Sequence, residues 1–332
     1  MKCIVLDSNH PDGISLVDLK EPVPGRQELK IKIKAAALNH RDQWCRQRKY
    51  PNLKDGIILG SDGSGTVVEA GKGVDPNWIG KEVLINPANN WGNNPSAQGA
   101  DFSILGMPNH GTLAEYICVK MDRVHEKPSH LDDFQAAALP LAGLTAFRAL
   151  VYQGHLNKED KVLVTGFGGG VAQMAVQIAL SSGAKVSVSS GEHWKLEKAL
   201  EMGVGAGYNY KADWINEAKT ADRGFDLIID SAMGNTMNDL IEVARPGGRI
   251  VVYGATLGNP GEIDARKIFW KQLSIQGSTM GSDLDFKKML EWVALHKIIP
   301  LVDEVFPLEN AVAAFDKMKN SQQLGKLVLK ID

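Results

Sequence analysis

Residues 162–190 read VLVTGFGGGVAQMAVQIALSSGAKVSVSS. A short apolar strand at 162–165 runs into Gly166, Gly168, Gly169 and Gly170. Val171, Met174, Ala175, Ile178 and Ala179 then recur at helical spacing, with Gln173, Gln177 and Ser181 on the other side. A second strand is expected at 185–189. Glycines let the backbone turn tightly and approach a pyrophosphate, whose charge meets the free N–H groups of the helix N-terminus. Strand, turn, helix and strand together make this turn a dinucleotide-site candidate. The spacing departs from the usual fingerprint: one extra residue lies between the outer glycines, and Ala172 stands where the third small residue belongs. The stretch 162–184 carries no charge and is long enough to raise the question of a membrane span. Its glycines, Thr165, glutamines and Ser181-Ser182 read instead as strand, turn and helix of a soluble protein.

Outward from this unit, strands at 207–210, 225–230, 249–254 and 273–277 alternate with helices. That alternation predicts α/β architecture: a doubly wound parallel sheet with helices on both faces. Ser129 is expected to cap a helix running into 135–139. The first third of the chain reads as β. Leu29, Ile31, Ile33 and Ala35 alternate with Lys30, Lys32 and Lys34, the period of a half-buried strand. Short apolar runs at 3–6, 14–19, 66–69, 82–85 and 114–119 predict a small barrel or sandwich. The Asn-, Gly- and Pro-rich segment 86–111 reads as a long loop, functional or mobile. A helix at 284–296 and a helix–strand pair at 308–319 and 326–331 close the chain.

The 332 residues suit roughly two domains at about 150 residues each. Lys plus Arg is 37 and Asp plus Glu 39, so the net charge of −2 argues against a general nucleic-acid binder. The three cysteines, Cys3, Cys45 and Cys118, form no CxxC pair, which fits a reducing compartment. MKCIVLDSNH at the N-terminus has no signal-peptide apolar core. A cytoplasmic location is expected, with no membrane partner.

The end of the second strand bears on the nucleotide. An NAD site usually places Asp or Glu there for the ribose 2′-OH. Here it reads Ser187-Val188-Ser189-Ser190-Gly191, and Glu192 comes later. Two hydroxyls with Lys195 nearby suit a 2′-phosphate better, so NADPH is expected over NADH.

An ordered series of short motifs now resembles the medium-chain dehydrogenase/reductase superfamily over essentially the whole chain. They are Leu38-Asn39-His40-Arg41-Asp42, Leu59-Gly60-Ser61-Asp62-Gly63-Ser64-Gly65, Gly111-Thr112-Leu113-Ala114-Glu115-Tyr116 and Leu139-Pro140-Leu141-Ala142-Gly143-Leu144-Thr145-Ala146. The glycine turn, Arg245-Pro246-Gly247-Gly248-Arg249 and Gly325-Lys326-Leu327-Val328-Leu329 complete the set. The resemblance implies a GroES-like β-rich catalytic domain at 1–127 and 282–332, with a Rossmann domain at 128–281. It also implies a homodimer or dimer of dimers, in which the last Rossmann strand, near 273–278, extends the sheet across the interface.

The family's zinc enzymes place Cys, His and Cys where this chain has Asn39, Ser61 and Leu141. Amide, hydroxyl and leucine do not make a tight zinc site. The four-cysteine structural lobe is missing, since 86–111 holds no Cys, and His40, His110 and Cys45 lack ligand spacing. No metal is expected.

The chain looks like the zinc-free quinone oxidoreductase-like branch. There an Asn replaces the Cys, followed five residues later by an aromatic and eleven later by a Tyr. Asn39, Trp44 and Tyr50 match. Trp44 replaces the usual Tyr, which removes a hydroxyl and bears on acceptor preference. These three are the catalytic candidates, although core packing would also explain Trp44 and a loop position Tyr50. For the cofactor the resemblance implies Asn39, Thr145, Gly166, Gly168, Gly169, Gly170, Val171, Ser189, Ser190, Lys195, Tyr210, Ala232, Gly254, Ala255, Gly277, Ser278 and Lys326. Ser321 stands where the group often carries an Arg. Asp42 is expected to hold its loop.

Without zinc, making an alkoxide from an alcohol lacks its Lewis acid. Delivery of hydride to an electrophilic small molecule is easier, because donors such as Asn39, Tyr50 or backbone N–H groups can stabilise the resulting oxyanion. The expected activity is zinc-independent hydride transfer from NADPH to a quinone or α,β-unsaturated carbonyl. The alternatives are an alcohol or aldehyde dehydrogenase-like enzyme, an enoyl-thioester reductase, and a non-enzymatic nucleotide-binding protein.

Overall fold

The alternation at 29–35 becomes the strand Glu28–Ala37. Leu29, Ile31 and Ile33 are fully buried, while Lys30, Lys32 and Lys34 keep part of their surface in solvent. Asp62–Ala70 and Lys326–Lys330 pair antiparallel with it, one on each side, and Tyr116–Lys120 also pairs with it. Glu82–Ile85 and Val124–Glu126 continue the sheet, and Val302–Pro307 lies parallel to Lys326–Lys330. One apolar core runs through this sheet and includes Leu6, Ile31, Leu59, Leu113 and Phe315.

The structure, a computed structural model, describes residues 1–331. It divides into two units, 1–142 with 281–331, and 143–280. The stretch 128–142, expected with the nucleotide-binding domain, packs in the first unit, where Ala137 and Ala138 rest on Ala35, Ala37 and Val328. Its helix begins later than expected. Asp132, not Ser129, is the cap: its carboxylate accepts the Gln135 N–H at 2.8 Å, while Gln135 Oε1 accepts the Asp132 N–H. That reciprocal pair satisfies two donors at once, which a serine three residues earlier cannot do.

The second unit is a six-stranded parallel sheet in the order Ala206–Asn209, Lys185–Ser190, Lys161–Val164, Phe225–Asp230, Ala244–Val252, Ser274–Gly277. The first of these in sequence is central, and the chain winds outward from it in both directions. Ligands in such sheets bind beyond the strand C-termini, where the winding reverses. The helix Gly170–Ser181 is covered more widely than its pattern suggested, and Gln173 is fully buried. The segment 86–111 is not featureless: Ala88–Asn89 pairs with Ser103–Ile104, and buried Trp91 meets Phe102 edge-on at 5.3 Å. Among the described residues no helix is long and apolar enough to cross a membrane.

Candidate functional site

In the second unit, the strand Lys161–Val164 ends at the glycine turn. Gly166 (φ 63°) and Gly168 (φ 146°) adopt backbone conformations that side chains disfavour. A Cβ on Gly166 or Gly169 would meet nothing within 4 Å, so the turn faces open space. Gly169 is the N-cap of Gly170–Ser181, and Val171 lies in the first turn. Open backbone before a three-turn helix fits a pyrophosphate.

The neighbouring strand end carries the other nucleotide candidates. Phe167 N–H donates to Ser189 O at 2.8 Å, tying the turn to that strand. Ser189 and Ser190 are buried. Lys195 is also buried, and its side chain lies across Gly168. Tyr210 is half-exposed, with its hydroxyl beside Gly191. Glu192, the one acid near the strand tip, is held by Lys211 at 2.8 Å, and that hydrogen bond lowers its pKa.

Ala232, Gly254, Ala255, Gly277 and Ser278 sit at or just beyond strand ends of the same sheet. Ala232 N–H and Met233 N–H donate to Asp230 Oδ2 at 3.0 and 2.8 Å, and Thr165 Oγ1 donates to Asp230 Oδ1. Asp230 therefore fixes two strand ends across the winding reversal, a role the sequence reading missed. An acid closing the apolar run FDLIID was its signal. Gly254 lies against Ser231 O, and Ala255 and Gly277 are exposed or partly so. Ser278 N–H donates to Val252 O, but its buried Oγ finds no partner among the described residues. Thr145 Oγ1 lies 3.8 Å from Met280 Sδ.

The first unit gathers a buried polar cluster. Val328 pairs with Ala37, and Leu38 N–H donates to Leu327 O, so the register continues to set Lys326 beside Asn39. Ala37 also pairs with Asp62 on the opposite strand. The side chains meet accordingly. Lys326 Nζ donates to Asn39 Oδ1 at 2.6 Å and to Asp62 Oδ2 at 3.0 Å. Asn39 Nδ2 donates to Asp62 Oδ2 at 3.0 Å, and Leu141 N–H donates to Asp62 Oδ1 at 2.8 Å. Asp62 is fully buried and Lys326 is 3% exposed. The sequence reading quoted Asp62 without a role.

A second buried cation stands beside this cluster. Arg41 donates to Ser61 Oγ and Leu105 O, each at 2.7 Å, and to Met107 O at 3.1 Å. It also lies 4.9 Å from the Tyr50 ring centroid and donates weakly to Tyr50 Oη. Tyr50 is thus joined to Arg41. Trp44 is not: it is half-buried, and its ring lies 6.4 Å from that of His40. The packing around His40 and the Lys326 charge hold its pKa below the ordinary value, although the residue keeps solvent access. Asp42 holds its loop by accepting the Asn39 N–H at 2.8 Å, and burial raises its pKa.

A parallel sheet with an open glycine turn beyond its central strand is the arrangement of a dinucleotide-binding protein. Comparisons agree. Residues 25–129 match the family model for the alcohol dehydrogenase GroES-like domain, and 170–295 that for zinc-binding dehydrogenase. The chain is 36% identical to "Zinc-type alcohol dehydrogenase-like protein YogA" of Leptosphaeria maculans, covering 94% of this chain and 93% of that one. It is 28% identical to the quinone oxidoreductase of Rattus norvegicus, over 98% and 96% of the two chains. A crystal structure of an NAD-dependent alcohol dehydrogenase superposes with a TM-score of 0.94 at 35% identity, with both chains fully covered. The chain belongs to the medium-chain dehydrogenase/reductase superfamily and is an NAD(P)H-dependent oxidoreductase.

Zinc, named for some relatives, does not fit the residues here. The Asn39 amide is engaged by Lys326 and Asp62, the Ser61 hydroxyl by Arg41 and Leu105, and Leu141 has no donor side chain. His110 Nδ1 accepts the Ile58 N–H. Cys45 is fully buried within the apolar core of the first unit. Among the described residues no group of three or more His, Cys, Asp or Glu could hold a metal ion.

Proposed function

We propose that this protein is a zinc-independent reductase that uses NADPH to reduce a quinone or an α,β-unsaturated carbonyl compound. One observation carries the reading: the positions that hold zinc in the family's metal enzymes are an amide, a hydroxyl and a leucine, and the two polar ones are bonded to other protein groups. An acceptor that is already electrophilic needs no Lewis acid, only donors for the oxygen that gains charge.

When bound, the reduced nicotinamide supplies a hydride. The protein's part is to bind and to stabilise. The glycine turn and the N-terminus of Gly170–Ser181 take the pyrophosphate. Lys195, Ser189, Ser190 and Tyr210 take the 2′-phosphate, supported by the burial of Lys195 against the turn and by the engagement of Glu192 with Lys211. Asn39 and Tyr50 belong to the unit that receives the acceptor.

The test is steady-state oxidation of NADPH, with NADH alongside, against quinones and enones in the presence of a chelator. Chelator-resistant turnover with NADPH is expected. Activity confined to alcohols, or abolished by the chelator, would replace this reading with the alcohol dehydrogenase one. Tight NADPH binding without turnover would favour a binding protein.

A further inference from the structure

Gly191 follows the strand Lys185–Ser190, and a Cβ on it would stand 2.7 Å from Tyr210 Oη and 2.9 Å from Lys211 Cε. Only glycine leaves room for both side chains over the strand tip. The two segments are tied at several points. Tyr210 N–H donates to Ser190 O at 3.3 Å, and the Asn209 side-chain amide meets His193 Nε2 at 3.1 Å. Asn209 Oδ1 accepts the Lys211 N–H at 2.9 Å, and Lys211 Nζ donates to Glu192 Oε1 at 2.8 Å. The Lys211 and Glu192 side chains are 61% and 53% exposed, so their pairing adds little to stability. Its place matters more. Glu192 stands between Ser190 and Lys195 in the chain, and its N–H lies 3.5 Å from Ser190 Oγ. The Lys211 hydrogen bond and charge hold its carboxyl below the ordinary pKa, and the Lys195 charge adds to that. A carboxylate that feels the Lys195 charge also feels an anion seated on Lys195.

We propose that Lys211 sets the nucleotide preference through Glu192. By holding that carboxylate it cancels a charge that would repel a 2′-phosphate. It also occupies an acid that, released, would accept the 2′-OH of an unphosphorylated ribose. Lys211 is thus a positioning residue: it acts on the nucleotide by fixing Glu192, while Lys195, Ser189, Ser190 and Tyr210 meet the phosphate. The inference rests on the NADPH reading, and every residue in it belongs to the unit 143–280.

The experiment measures binding of 2′,5′-ADP and 5′-AMP to the full chain by calorimetry. The two probes differ only in the 2′-phosphate, and neither carries the nicotinamide. Low salt is used, because exposed charges are screened at high ionic strength. The parent should favour 2′,5′-ADP. Lys211→Met should lower that preference at least about fivefold, the scale of one uncancelled charge beside a phosphate at the surface. Affinity for 5′-AMP should hold or rise. Lys211→Arg should keep the preference within about twofold, since another cation can hold Glu192. In Glu192→Gln, which has no carboxylate to hold, adding Lys211→Met should change the preference by less than about twofold. An unchanged preference in Lys211→Met overturns the proposal. So does an equal fall with and without Glu192→Gln, which would put Lys211 on the phosphate itself. An equal loss of both probes overturns it too, as the mark of a merely structural role. The NADPH reading fails differently: the parent would hold 5′-AMP as tightly as 2′,5′-ADP, and the proposal would fall with it.

Discussion

Lys195 lies directly over Gly168: a Cβ on that glycine would stand 2.9 Å from Lys195 Nζ and 3.0 Å from its Cδ. Two sequence signals that are 27 positions apart, a glycine turn and a lone lysine, thus form one surface. Lys195→Ala should reduce the preference for NADPH over NADH by about 10- to 100-fold, the worth of a hydrogen bond to a charged group. Gly168→Ala should weaken both nucleotides, because its φ of 146° is strained for alanine and the new methyl displaces Lys195. Dissociation constants for both nucleotides check this, and equal losses for NADPH and NADH in Lys195→Ala would contradict the 2′-phosphate assignment.

Arg41 anchors the segment around 104–107 to Ser61. Its guanidinium takes the carbonyls of Leu105 and Met107, the Ser61 hydroxyl and the Tyr50 ring. Arg41→Met leaves buried carbonyls without their donor and should cost about 2–4 kcal/mol. Arg41→Lys should recover only part, since an ammonium cannot reproduce the fork. Urea denaturation gives the magnitude. Amide exchange around 104–107 should rise first, and a uniform change would argue against a local anchor.

Periodicity carried much of the fold into view. Leu29 to Ala35 alternated as a strand must, and the glycine turn sat between a strand and a helix, where local pattern and tertiary role coincide. Val302–Pro307 escaped notice because VDEVFP has no buried alternating face: it is only partly covered along its length and was set by its partner strand. The polar cluster was harder still. Asn39 was legible as a departure from a metal ligand, but its partner Lys326 lies 287 positions away. Only strand register brings the two together, and nothing in the local sequence of either encodes it. Trp44, legible as an aromatic at the right spacing, lies beside His40.

Stability should fall on the alkaline side. Cys45 is fully buried in the core of the first unit, and burial lifts its thiol from 9.0 to about 12, with the Asp42 charge adding to the shift. Between those values the unfolded chain releases a proton that the folded chain keeps. The contribution of this group is therefore complete below about pH 9 and is lost as pH rises toward 12, at no more than about 1.4 kcal/mol per pH unit. Urea midpoints at pH 8 and pH 10 should show a drop that is smaller in Cys45→Ala. In the native protein at pH 8, Cys45 should also resist alkylation that proceeds readily in urea. Equal pH slopes in the two proteins would show that the thiol does not contribute.

Self-association is expected through the last strand of the parallel sheet. Ser274–Gly277 ends the strand order, so one side of its backbone has no partner strand among the described residues, and all four residues are exposed. Trp270 and Phe269 just before it are 82% and 67% exposed, far more than a solvent-facing surface normally gives to such side chains. An open strand edge beside exposed aromatic side chains invites pairing with another strand, and a two-fold axis lets a second copy supply the same strand antiparallel. That arrangement would join two six-stranded sheets into one and cover Ile275 as well. Light scattering should give the mass of a dimer or a dimer of dimers. Trp270→Lys with Ile275→Lys should reduce it to the monomer, because charges at an edge oppose strand addition. The melting temperature of the parent should rise with protein concentration while that of the variant does not, as mass action requires of a stabilising association. A monomeric parent would remove the edge strand as an interface, and a dimer that survives both lysines would move the interface elsewhere.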